Sequence, residues 1–514
     1  MEGATVELTE IQQFYRNETV FLTGATGFLG KLMLEKVLRA LPVKKVFLLI
    51  RTKKNVAPSA RLQAIFESPI FDGIKRDQRT VFDKIEIIQG DCELPMLGIS
   101  AADLQRMQEE VTVIFHFAAT VRFHEHIKKA TWLNVRATKD LVGIAKQLRR
   151  IKTFVYVGTA FSNSNRKEIE EQIYPSRISA ENLIAVCQSL DDATLSCMSS
   201  KLTADWPNNY TFTKQVAEEY IGRAAQDIPI CICRPSIVVS TAAEPIEAFI
   251  DSPVSMGGLS VMFGLGICRI FYYKKIILDV VPADYVVNEC IAAGWHTGEM
   301  FRDTRAKIPV YHICSSIENP VSLEDLWEHG QVQSRANASL KAVMYPMYFV
   351  TTCKPNYLFW KFVLETMVAH ITDLMLKMRG QKPMLVSVMR KLHAVQESLE
   401  HFTCNAFHWH VENHFKLQKK MSFKDRELFN FNIKALDWHT YFSQQAKGVR
   451  VYLIKDPFTT LPEGFKRMRR LRKIFIVVLL VSAIVLYGLG KLLFFRLLPL
   501  VFAFIAYCLR CLVC

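Results

Sequence analysis

The sequence predicts an α/β protein: a doubly wound parallel sheet of Rossmann type, then a mostly helical C-terminal domain and a C-terminal membrane segment. Three observations carry this. Apolar strands alternate with helical patterns, a glycine-spaced turn follows the first strand, and an uncharged apolar run lies near the C-terminus. The first strand, Val20–Leu22, runs into Gly24, Gly27 and Gly30, and a helical pattern continues to about Leu41. Apolar strands follow at Val46–Ile50, Ile85–Gln89 and Val113–Phe117, then a helix at Asn134–Leu148 and a strand at Phe154–Val157. A helix around Tyr210–Ala225 and a strand at Cys231–Arg234 complete the pattern. Such alternation favours parallel strands joined by crossover helices. A sheet of this kind binds ligands beyond the carboxyl ends of its strands, where the strand order reverses.

At 514 residues the chain exceeds one ordinary domain. The pattern divides it into a nucleotide-binding and catalytic unit over 1–330, a helical unit over 331–447, a basic linker over 448–473 and an anchor over 474–514. In the second unit aromatics, Met and Lys recur at helical spacings, Gly is scarce and strands are hard to find. The formal charge of +15 favours anionic partners. No groove-sized basic helix or aromatic-interleaved patch stands out, which excludes nucleic acid. The densest basic block, Lys466, Arg467, Arg469, Arg470, Arg472 and Lys473, directly precedes Ile474–Gly490, roughly seventeen residues without charge. A helix apolar on every face at a chain terminus suits a bilayer better than a core. The basic flank keeps the preceding domains on the cytosolic side. Endoplasmic reticulum and peroxisomal membranes both fit, with a slight preference for the former. The opening MEGATVELTE is neither a secretory signal nor a transit peptide. The 13 cysteines are scattered, and Cys231, Cys233 and Cys290 sit inside apolar elements, as reduced structural thiols do.

Within Thr23-Gly24-Ala25-Thr26-Gly27-Phe28-Leu29-Gly30 the first glycine permits a tight turn. The second lets a pyrophosphate approach the backbone, and the third lets helix and strand pack closely. The helix start supplies free N–H groups and a positive dipole end. Because this turn follows an apolar strand and opens a helix, it predicts dinucleotide binding through Thr23, Gly24, Thr26, Gly27, Phe28, Leu29 and Gly30. An NAD-selective site usually places an acid at the end of the second strand. Here that strand ends Ile50-Arg51-Thr52-Lys53-Lys54, and Arg51 and Lys54 suit a 2′-phosphate, so NADPH is the expected cofactor. Asp91, after the third strand, is placed to cap the adenine amine. Asn134 fits a structural or proton-relay position.

A Lys one helical turn after a Tyr can depress the phenol pKa and hold a ribose. The spacing occurs three times, at Tyr210/Lys214, Tyr357/Lys361 and Tyr487/Lys491. Only Tyr210 starts the helix after the fifth strand, whose carboxyl end carries the Thr159 hydroxyl. Thr159, Tyr210 and Lys214 are therefore the expected catalytic set. In order, TGATGFLG, VIFHFAATVRF, VGTAFSN, PNNYTFTK and CRPSIV resemble the fatty acyl-CoA reductases, a branch of the extended short-chain dehydrogenases. The likeness runs from about Phe14 to Gly448. It includes VPADYVVN at Val281–Asn288, His370 with Asp373, and FTCNAFHWHVENHF at Phe402–Phe415. It implies NADPH-dependent reduction of a long-chain acyl-CoA, through an aldehyde, to a primary alcohol with release of CoA. The implied partners are that substrate and membrane lipid; a homodimer is allowed.

The chain departs from the family pattern in two places. Gly158 stands where the family usually carries Ser, and the stretch at 246–258 keeps only Asp251 and Gly258 of its usual motif. His408, His410 and His414 cluster, but among aromatics and without an implied metal, so no metal is expected. Cys508, Cys511 and Cys514 read as membrane-facing cysteines. Two alternatives stay open. One is a membrane-bound extended dehydrogenase acting on a sterol or other lipid, which the second-domain motifs argue against. The other is a non-catalytic lipid-associated relative, which the intact Thr159, Tyr210 and Lys214 oppose.

Overall fold

The computed structural model describes residues 7–254, 256–304 and 307–477, with isolated positions at 480, 484, 487, 488 and 491. Seven parallel strands form one sheet: β1 (Thr19–Thr23), β2 (Lys45–Ile50), β3 (Ile85–Gln89), β4 (Val113–His116), β5 (Thr153–Val157), β6 (Ile230–Pro235) and β7 (Val310–Ile313). Their order is β7-β6-β5-β4-β1-β2-β3. β1 pairs on one side with β2 (Val20 against Val46) and on the other with β4 (Val20 against Val113). The chain therefore winds outward in both directions from β1 and β4, and a crevice opens at their carboxyl ends.

Both faces of the sheet are covered. Val20 and Leu22 enter one core with Val46, Leu48 and Ile50, while Phe21, Phe47 and Leu49 enter the other. This two-residue alternation, apolar on both sides, is why these strands read as unbroken apolar runs. α1 (Phe28–Ala40) and α4 (Ala283–Thr304) pack on the first face. α2 (Ala137–Ala145) and α3 (Asn209–Ala224) pack on the second. The predicted helix at Asn134–Leu148 begins earlier, at Ile127, and passes through a wide π turn at Thr131–Arg136 before α2. β7 is not among the strands the sequence predicts, because four residues interrupted by His312 give a weak apolar signal. His312 is nevertheless fully buried.

Residues 331–447 are mostly helical. α5 (Leu323–Ala336), α6 (Lys354–Lys361), α7 (Val368–Met378), α8 (Leu385–Cys404) and α9 (Trp438–Gly448) form most of this region. Two short strands here are too brief for the sequence pattern to predict. Phe349–Thr351 pairs with Ile270–Tyr272, and His408–Trp409 pairs with Glu168–Ile169. Leu417, Met421, Phe429, Phe431 and Ile433 return to the first-face core, so this region is fastened to the sheet. A helix at 461–477 follows. Among the described residues no helix is long and apolar enough to cross a membrane. Apart from 474–477 and the isolated positions, the expected anchor at 474–514, with Cys508, Cys511 and Cys514, lies outside the described residues.

A buried ion pair joins these layers behind the crevice. The Arg234 guanidinium at the end of β6 donates to the Glu218 carboxylate of α3 at 2.8 and 3.0 Å, and the two residues are 0% and 1% exposed. Arg234 also reaches the Gln172 carbonyl at 2.9 Å and His312 Nε2 of β7 at 3.0 Å. Replacing Glu218 by Ala would strand a buried cation. The expected cost is about 3–5 kcal/mol, read as a lower denaturant midpoint of the purified protein.

Candidate active site

The turn between β1 and α1 is shaped by lack of space. Gly24 has φ +81°, and a Cβ there would come within 2.7 Å of the Ala118 nitrogen in the loop after β4. A Cβ on Gly30 would overlap the Gly24 carbonyl. Gly27 starts α1 with no side-chain cap, so the first turn of the helix offers its amides to the crevice. Gly24, Gly27, Phe28, Leu29 and Gly30 line a cavity of about 330 Å³. Two expected residues do not face it. Thr23 is fully buried beneath the turn, its Oγ1 2.7 Å from His116 Nδ1 and accepting from the Ala118 amide at 3.2 Å. It braces the loop. Thr26 is exposed and is not part of the cavity lining.

Thr159, Tyr210 and Lys214 line the same cavity. Thr159 follows β5 in extended conformation, and its Oγ1 accepts from the Phe161 amide at 3.3 Å. Asn208 caps α3 by accepting from the Thr211 amide at 2.9 Å, which puts Tyr210 in the first turn of that helix. The Thr159 hydroxyl lies beside the Tyr210 phenol and opposes the effect of its burial, and Phe123 stacks over the Tyr210 ring at 6.0 Å. Lys214, one turn on, is 2% exposed. Its Nζ donates to the Val157 carbonyl at 2.7 Å and lies 4.7 Å from the Tyr156 ring centre.

The electrostatics differ from the sequence expectation. Burial pushes the Tyr210 phenol up to about 12, opposed by the Thr159 hydroxyl rather than by Lys214. The ammonium is turned toward the end of β5, where burial brings it down to about 8 against the pull of Glu218. The expected depression of the phenol by Lys214 is thus replaced by tuning through Thr159.

Glu218 was not singled out in the sequence. It lies one further turn along α3, and its Oε1 occupies the place where a Cβ on Gly158 would stand. This explains why the residue before Thr159 is glycine here. Asn134 is structural: its Oδ1 accepts from the Thr120 amide at 2.9 Å and its Nδ2 donates to Thr213 Oγ1 at 3.0 Å, tying the loop after β4 to α3.

Beyond β2, Arg51 Nη1 is 3.0 Å from Asp91 and 2.9 Å from Glu93. Asp91 is engaged by Arg51, and by the Glu93 amide at 3.0 Å. Lys54, at φ +50°, sits on the exposed turn that follows. Lys53 is held below the usual lysine value by partial burial and by the surrounding charges of Arg51, Arg61, Lys54 and Arg122. Arg61 and Arg122 come from separate segments, so the sequence carried no local signal for this cluster.

The helical unit closes the cavity. Leu399 and Phe402 of α8 line it, and Phe402 packs against Phe123 at 5.4 Å and Phe161 at 4.9 Å. The divergent 246–258 stretch borders it through Ile250, Ser252, Val254 and Gly257, while Asp251 is ion-paired to Lys31. The clustered histidines have other employment. The His410 carbonyl binds His312 Nδ1 at 2.7 Å, and His414 lies between Glu289 (2.8 Å) and Glu318 (3.4 Å), which raise it to about 10 against the cost of burial. Cys231 and Cys233 are fully buried thiols pushed well up by burial, and have no access to the cavity chemistry.

A glycine cradle, a helix start free of side-chain caps and a Tyr-Lys pair at the switch point of a parallel sheet define an oxidoreductase using a nicotinamide cofactor. A family model described as "Male sterility protein", covering the NAD-binding part, matches residues 22–290, and a second model of the same description, named Sterile, matches 364–456. The chain is 35% identical over 492 residues to fatty acyl-CoA reductase wat of Drosophila melanogaster, covering 94% of each chain. It is 33% identical over 469 residues to fatty acyl-CoA reductase 1 of Gallus gallus, covering 91% of this chain and 90% of that one. The terminal R domain of the myxalamid PKS-NRPS pathway shares the fold, with TM-score 0.55 and 18% identity over 85% of this chain and 91% of that one. The protein belongs to the fatty acyl-CoA reductase family.

Lys214 is a cation below about pH 8 and neutral above it. If turnover needs that charge, kcat/KM falls by about tenfold per pH unit above this value. Lys214→Met is expected to give a low, flat profile, measured as cofactor oxidation across pH 6–10.

Proposed function

We propose that this protein reduces a long-chain fatty acyl-CoA with NADPH, through an aldehyde, to a primary fatty alcohol, releasing CoA. The observation that carries the reading is one cavity with the glycine turn on one wall, Thr159, Tyr210 and Lys214 on another, and the apolar Leu399 and Phe402 of the helical domain as its roof.

The residues fit the cofactor. No side chain could replace Gly30 without displacing the Gly24 carbonyl, and the cradle so formed leaves the helix amides open to a pyrophosphate. The crowd of cations at Arg51, Lys53, Lys54, Arg61 and Arg122 suits the additional phosphate of NADPH. NADPH, when bound, would supply hydride, one equivalent to the thioester and a second to the aldehyde. The protein's part is to hold charge and protons. As negative charge grows on the thioester oxygen, the Thr159 and Tyr210 hydroxyls donate to it. Collapse of that centre expels the CoA thiolate, a stable leaving group, so no cysteine nucleophile is required. At the aldehyde, Tyr210 donates its proton to the oxygen, and the Thr159 hydroxyl beside it steadies the phenolate left behind. The apolar walls at Phe123, Phe161 and Val254 receive the start of the acyl chain and exclude water from the thioester. The basic flank and the apolar tail at 474–514 support an anchor in the endoplasmic reticulum or peroxisomal membrane with the cavity on the cytosolic side.

Purified membranes given NADPH and a ladder of acyl-CoAs are expected to yield fatty alcohol, seen by lipid analysis. No cofactor oxidation with any thioester would overturn the reading. Tyr210→Phe is expected to lower kcat by about 10²–10⁴. Lys53→Glu/Lys54→Glu is expected to raise KM for NADPH by about tenfold or more, with KM for NADH little changed.

A further inference from the structure

We propose that α6 and α7 form an in-plane membrane helix that docks on an anionic lipid surface, a second membrane contact distinct from the C-terminal tail. Leu358, Phe359, Phe362, Ile371, Leu374 and Met378 are each 50–73% exposed. Soluble surfaces rarely collect large apolar side chains this densely without a partner. The inner face of the same element is filled: Tyr357, Glu365 and Ala369 are buried, with Tyr357 bonded to Gln396 at 3.1 Å and Glu365 to His393 at 2.9 Å on α8. The outward apolar residues are therefore additional to the core.

They also form one stripe, by a specific device. Phe362 and Ile371 are nine positions apart, about two and a half α-helical turns, which would put them on opposite sides of an unbroken helix. The π turn at Phe362–Met367 absorbs about one residue. It thereby brings Ile371, Leu374 and Met378 back under Leu358 and Phe362.

The charges around the stripe match an anionic bilayer. Lys377, Arg379, Lys382, Arg390 and Lys391 are exposed. The acids of α6 and α7 are withdrawn: Glu365 is buried, and Asp373 accepts from the amides of Met384, Leu385 and Val386 at 2.8–3.0 Å, while Glu397 and Glu400 of α8 are ion-paired to Lys361 and Lys354. An apolar centre with a cationic rim is the signature of a helix lying in the headgroup region. The element is also continuous with the basic helix at 461–477. Glu365 accepts from the Arg269 amide at 2.8 Å, and the Arg269 guanidinium lies 4.8 Å from the ring centre of Phe475, beside the exposed Ile474, Ile476 and Val477. Both elements thus approach the lipid together.

The test uses the full chain reconstituted in phosphatidylserine-containing vesicles. A photo-crosslinking amino acid is placed at 362, at 378, or at the exposed Val332 of α5 as control. Lipid adducts at 362 and 378 are expected to exceed those at 332 by about tenfold or more. Lys377→Glu/Arg379→Glu/Lys382→Glu is expected to cut them severalfold in these vesicles, with little change in pure phosphatidylcholine. Adducts with a second copy, with the chain's own tail, or no excess of lipid adducts over position 332 would each overturn the proposal.

Discussion

Arg234 has no exposed surface, and every donor that faces the protein interior must be answered there. The answer comes from Glu218 of α3, the carbonyls of Glu170 and Gln172, and His312 of β7, which in turn leans on the His410 carbonyl of the helical unit. One cation thus joins β6, β7, α3 and the second domain. The consequence for chemistry is positional. Glu218 sits one turn beyond Lys214 and two beyond Tyr210, so the pair that fixes α3 against the sheet also fixes the phenol and the ammonium relative to Thr159. Gly158 completes the arrangement by leaving room for the carboxylate.

How much of this was legible depends on the range over which each signal acts. The central strands were readable to within a residue or two, because burial on both faces makes a continuous apolar run. The glycine turn was readable because its three spacings answer three local steric demands. Its threonines were not separable by pattern: Thr23 turns down to His116 and Thr26 out to solvent, a choice made by the loop after β4. Glu218 four residues after Lys214 reads, on any helix, as a solvated pair. Only the distant Arg234 makes it interior. The Lys214 direction was equally hidden, since it depends on where the Val157 carbonyl ends.

The roof of the cavity shows the same division. The segment beginning at Phe402 was recognisable as a family motif, but its physical task is visible only in the fold. Phe402 wedges between Phe123 and Phe161, which come from the ends of β4 and β5. The second domain therefore does more than append a surface: it supplies an apolar wall to a site whose polar groups all come from the first. The 246–258 stretch, divergent by sequence, adds Ile250, Ser252, Val254 and Gly257 to the lining. The polar groups and the apolar walls come from different segments that meet at one opening.

The wide turn between α6 and α7 has an evolutionary corollary. Conservative exchanges such as leucine for methionine would leave its apolar band intact, because the band needs bulk and greasiness, not identity. Insertion or deletion of a single amino acid there would rotate everything downstream by about a hundred degrees about the helix axis, burying basic side chains and exposing the helix's inner side. A lipid-docking role would thus leave this region free to drift in composition while fixing its length.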